Sequence, residues 1–68
     1  MTTEKKLDIT SNEPEPGDLV CFAEKSELII GQVVEFNAQG YPNININGHG
    51  EPEKIVEISS NFVIVDMV

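Results

Sequence analysis

Cys21 and His49 are the only cysteine and the only histidine in this 68-residue chain. They are the two types from which a thiol nucleophile and its base are built. Such a pair must lie within hydrogen-bond reach, with a third group orienting the base. Cys21 sits in an apolar run, Leu19-Val20-Cys21-Phe22, and His49 sits between Gly48 and Gly50. Nothing in the spacing joins them. A reactive thiolate needs a nearby cation or helix N-terminus, whereas carboxylates raise a thiol pKa. A structural zinc site takes four ligands, mostly Cys and His, and this chain offers one of each. Glu51, Glu53 and Glu57 carry the hard oxygens that calcium takes, without the Asp-x-Asp-x-Asp-Gly spacing of a calcium loop. The expectation is a protein that is not an enzyme and holds no cofactor or metal. Cys21 then reads as a small strand residue, His49 as an exposed loop residue, and the glutamates as a solvated face.

The elements that would position any site must come from a small core. A chain this short buries only about 60% of its unfolded surface, and a lone cysteine forms no internal disulfide. Packing has to supply the stability, and self-association would add buried area. Residues 1–16 read as a disordered acidic leader. Their large aliphatic residues are Leu7 and Ile9, and they end in Glu13-Pro14-Glu15-Pro16, whose prolines favour an extended, solvated chain. Residues 17–68 read as the folded domain, with strands at 18–23, 27–36, 41–47, 53–58 and 62–66. Val20 and Phe22 share one face of the first strand. Gly31 interrupts the second and longest strand and reads as a bulge or bend. Asn43-Ile44-Asn45-Ile46-Asn47 alternates strictly, with the isoleucines inward. Val56 and Ile58 are the inward pair of the fourth strand. No segment carries apolar residues at helical spacing. Five short strands in some fifty residues predict an all-β fold, a small five-stranded barrel.

The steps Gly17-Asp18-Leu19-Val20 and Gly31-Gln32-Val33-Val34 resemble the first two strands of KOW, Tudor and other SH3-like barrels. The Pro16-Gly17-Asp18-Leu19-Val20 opening is also similar to that of short bacteriophage proteins. The resemblance implies the barrel fold and a choice of jobs: RNA or polymerase binding, methyl-lysine reading, peptide binding, or bracing a larger complex. An aromatic cage or a proline-peptide groove needs clustered aromatics. This chain has Phe22, Phe36, Tyr41 and Phe62 and no tryptophan.

Charge narrows the choice further. Twelve Asp and Glu stand against four lysines, no arginine is present, and the net charge is −8. Phosphate and base contacts lean on Lys and Arg, so direct nucleic-acid binding is not expected. No apolar run approaches the about 20 residues of a spanning helix, and no signal-like segment follows Met1, so neither membrane insertion nor secretion is expected. An unpaired cysteine suits the reducing cytoplasm, the host's cytoplasm if the chain is phage-encoded.

The expected function is a protein-interaction module or accessory subunit that binds a host or viral protein. Leu19, Ile30 and Val34 point outward if Val20, Phe22 and Val33 point inward, and an exposed aliphatic patch marks a binding surface. Asn43 and Asn45 complete the candidate contact surface. The alternative is an acidic mimic of nucleic acid. In it Glu24, Glu27, Glu35, Glu51, Glu53, Glu57 and Asp66 stand in for phosphates in a stripe spaced roughly 6–7 Å apart, the two-residue repeat of a strand.

Overall fold

The computed structural model describes residues 4–48 and 50–67. Five strands form one antiparallel sheet: β1 (Leu19–Glu24), β2 (Glu27–Phe36), β3 (Pro42–Asn45), β4 (Ile55–Glu57) and β5 (Phe62–Asp66). Their spatial order is β4-β3-β2-β1-β5. The described residues contain no helix, so none is long and apolar enough to cross a membrane. The third and fourth strands are shorter than their patterns predict, although the Ile46 N–H still donates to Lys54 O at 3.0 Å. Val20, Phe22, Val33, Ile44, Ile58 and Phe62 form the buried core, with Ile29, Phe36, Ile46, Val56 and Ile64 packed against it.

Entry into β1 is a tight turn. The Asp18 N–H donates to Glu15 O at 3.0 Å, and Gly17 sits at φ 98°. Proline then glycine at the centre of such a turn is the type II pattern, which needs positive φ at the glycine. The Gly17 N–H donates to Val33 O (2.8 Å) and the Val33 N–H to Asp18 O (2.9 Å). Two residues therefore face one, and this bulge aims the start of β1 into the ladder.

Three expectations are corrected. First, Gly31 is not a bulge: its register with Val20 is unbroken. It is a place of close approach, where a Cβ would meet Ile44 Cδ1 at 2.8 Å and the Asn45 carbonyl oxygen at 2.9 Å. The bulge of β2 falls at Val34, where Val33 faces Ile44 and Glu35 faces Asn43. The extra residue resets the alternation, so Val33 and Phe36, of opposite parity, both reach the core. Second, the sheet does not close into a barrel, because the end strands β4 and β5 do not pair. Third, the described part of the leader, residues 4–16, is not disordered. Lys6 N–H donates to Gly40 O (2.8 Å), Ile9 N–H donates to Phe62 O (3.0 Å), and Pro14 is fully buried. The Lys5 ammonium lies 4.8 Å from the Phe36 ring centroid. The leader thus spans from the β2–β3 turn to the free edge of β5 and covers part of what closure would have covered.

The β1–β2 hairpin turns through Lys25 and Ser26, at φ 49° and 68°. Both central residues of a type I′ turn need positive φ, which costs a non-glycine residue about 1–2 kcal/mol. Replacing Lys25-Ser26 with Asn-Gly is expected to stabilise the fold by about 1–2 kcal/mol, read as a higher urea midpoint at unchanged m-value. Gly31→Ala is expected to destabilise it by about 1–3 kcal/mol in the same assay, because the methyl must displace Ile44 and strand backbone.

Candidate interaction surface

Strand alternation sends side chains to two faces of a sheet, and here both faces carry apolar residues. Behind the core face, the register aligns Leu28 with Ala23, then Ile30 with Cys21 and Val63, then Gln32 with Leu19 and Asp66. Leu28 and Ile30 stand out at 79% and 57% exposure. Leu19, Cys21 and Val63 are half-buried by their neighbours. The small residues Cys21 and Ala23 make a trough along β1, with Leu28 and Ile30 as a ridge on β2. At the β5 side the trough opens into a groove of about 160 Å³ walled by Ile9, Cys21, Ala23, Leu28 and Val63.

Leu19, Ile30 and Asn45 come together around a second shallow recess of about 270 Å³, which Gln32, Ile46 and Asn47 also line. Val34, 42% exposed, belongs to the β2 bulge and not to that recess. Asn43 lies between Glu35 on β2 and Glu57 on β4. Asn45 is half-buried, and its Oδ1 accepts from Asn47 N–H (3.2 Å) and Lys54 N–H (3.0 Å), so it fastens the β3–β4 loop. Leu28 and Val63 are not singled out by the sequence as surface residues, and Ile9 is legible only within a partner-docking stretch of the leader, not as a wall of this groove. Leu28 shares the parity of Ile30 and so was findable. Val63 needed the β1–β5 register, and Ile9 needed the docked leader.

The acidic residues fall in separate places. Glu24 and Glu27 face each other at the hairpin end, Glu35 and Glu57 flank Asn43, and Asp66 is level with Leu19. Glu51 and Glu53 lie in the β3–β4 loop. Glu27 and Glu35 stand at opposite ends of one strand, roughly 25 Å apart at ~3.3 Å per residue. Glu57 Oε2 accepts from Asn37 Nδ2. Among the described residues, no three of His, Cys, Asp and Glu gather where they could hold a metal ion. Cys21 is half-buried on β1, and His49 lies outside the described residues.

Asp8 holds the groove's leader wall in place. Its Oδ1 accepts from Thr10 N–H (2.9 Å), Thr10 Oγ1–H (2.7 Å) and Asn12 N–H (2.9 Å), and its Oδ2 accepts from Ile64 N–H of β5 (3.0 Å). Ser11, at φ 67°, closes this small loop through its N–H to Asp8 O. Burial alone would raise the Asp8 pKa, but the bonds from Thr10, Ile64 and Asn12 outweigh it and hold it at about 2, below the ordinary 3.8.

Compared with protein-family models, with curated proteins and with solved structures, the chain finds no match in any of the three.

A carboxylate whose pKa is depressed on folding stabilises the folded state above its unfolded pKa and ceases to do so as pH falls through the folded value. Leader docking is therefore expected to persist above pH 3.8 and to fail as pH falls toward about 2, seen as loss of amide-exchange protection at Ile64 and Asn12. Asp8→Ala strands those donors and is expected to cost about 1–3 kcal/mol. It should also remove the acid step. An acid step that survives in the variant would assign it to another carboxylate.

Proposed function

We propose that the protein is a non-catalytic interaction module of the cytoplasm, which docks a protein partner on the outer face of β1, β2 and β5. The observation that carries this reading is the exposed group Ala23, Leu28 and Ile30, flanked by half-buried Leu19, Cys21 and Val63, on a chain of net charge −8. Scattered aliphatic residues are ordinary on a protein surface, whereas a contiguous strip marks a contact site. The ridge of Leu28 and Ile30 supplies the anchors. Leu19 and Asn45 shape the neighbouring recess, whereas Val34, in the β2 bulge, and Asn43, between Glu35 and Glu57, do not line it. The meander order, with β5 returning to pair with β1, supports the kinship with SH3-like folds that Gly17-Asp18-Leu19-Val20 resembles. A bacteriophage setting, with a host or viral protein as the partner, fits that resemblance.

The test is affinity capture from the source cell with tagged wild type and with Leu28→Lys/Ile30→Lys, washed at low and high salt. A partner that survives high salt with wild type and is lost from the variant is the expected result. A partner retained equally by both would sink the outer-face reading. Release of a nucleic-acid enzyme by salt alone would move the site to the carboxylates, since screening weakens exposed charges and leaves apolar contacts in place.

A further inference from the structure

We infer that the outer face is covered by a second copy of this chain, in a two-fold dimer that seats the Leu28–Ile30 ridge of each copy in the Cys21–Ala23 trough of the other. The inference rests on the interaction reading above and names the occupant of that same face.

A sheet with two apolar faces needs two covers. One face has the core. The described chain outside the strands consists of turns, loops and a leader that reaches β5 and the β2–β3 turn, and Leu28 and Ile30 are left standing in solvent. Among the described residues nothing covers Leu28 and Ile30, and the inference supplies that cover from a second copy.

The surface carries both halves of its own complement. Large residues line β2 (Leu28, Ile30) and small ones line the adjacent β1 (Cys21, Ala23), in register. A two-fold axis over the strip places ridge on trough twice, which is the isologous arrangement of most homodimers. A groove of about 160 Å³, open to solvent, borders the trough on the β5 side. A partner of unrelated shape would have to supply both features, whereas a second copy already has them.

Charge agrees. Between the Leu28 and Leu19 rows, the acidic residue on this face is Asp66, at its corner. Glu24 and Glu27 fall on the opposite parity, and Glu35 and Glu57 lie beyond the strip. These five carboxylates thus lie off the centre of the strip, and a Debye length of about 8 Å at physiological salt limits their reach across it.

The test is sedimentation equilibrium of the purified full chain from micromolar to millimolar concentration at physiological salt. The expected species has twice the 7.5 kDa chain mass. Leu28→Lys and Ile30→Lys are each expected to weaken dimerisation about tenfold or more. Leu7→Lys, an exposed leader site, should leave it unchanged. Amide spectra verify that each variant folds. Should a lysine variant not fold, isotope-filtered NOEs in the wild type between Leu28 methyls of one copy and Ala23 of the other decide the matter. A monomer at every concentration, or a dimer indifferent to both ridge substitutions, would overturn the inference. If the chain is monomeric and capture of another protein still depends on Leu28 and Ile30, the interaction reading stands and the face belongs to that protein. Loss of both the dimer and ridge-dependent capture would remove both.

Discussion

A sheet that does not close has two backbone edges and an incompletely covered core, and in this protein much of the rest follows from how one of those edges is handled. The free edge of β5 presents the Phe62 carbonyl and the Ile64 N–H, and the leader takes both: one through the Ile9 N–H, the other through the Asp8 carboxylate. Exposed edges are templates for unwanted pairing, and natural sheets blunt them with charge, proline or a covering segment. Here the leader supplies two of these: Asp8 brings charge to the edge, and the backbone around Ile9 covers it. Asp8 accepts three hydrogen bonds within the leader and one from Ile64 of β5, and with the Lys6–Gly40 and Ile9–Phe62 backbone bonds these join that segment to the fold. They also set one wall of the outer groove, since Ile9 is the next residue.

Strict alternation gives every strand an inner and an outer set of side chains, and the bulge at Val34 adjusts which is which. Without it, Val33 and Phe36 would point to opposite faces. With it, both serve the core. Gly31 does the complementary job by leaving room, so that Ile44 and the β3 backbone lie close over β2. A core of six buried apolar side chains results, and the remaining aliphatic residues of β1, β2 and β5 are left behind it. An apolar outer face on so acidic a chain is the tension that the interaction reading resolves. A net charge of −8 repels polyanions at long range, and under the interaction reading the strip would supply the contact.

Composition and local pattern alone determined the all-β class, the span of β2 and β5, the turn before β1, and the inward places of Val20, Phe22, Ile44 and Ile58. These depend on period-2 alternation and on Pro-Gly and Asn-rich turns, which act over a few residues and so are written locally. The exposure of Ile30 followed from the same parity. What only the tertiary structure decided was long-range. The bulge belongs to Val34 and not Gly31 because a bulge is a mismatch between two strands, and the residue that makes room is set by what packs on it. The leader docks through partners far along the chain: Lys6 meets Gly40, Ile9 meets Phe62 and Asp8 meets an N–H 56 residues away, none of which a window of sequence around the leader contains. The trough that unites Cys21, Ala23 and Val63 with Ile9 exists only once β5 pairs with β1. Local physics chose the elements, and register and edge closure, which join residues far apart in the chain, chose the surface.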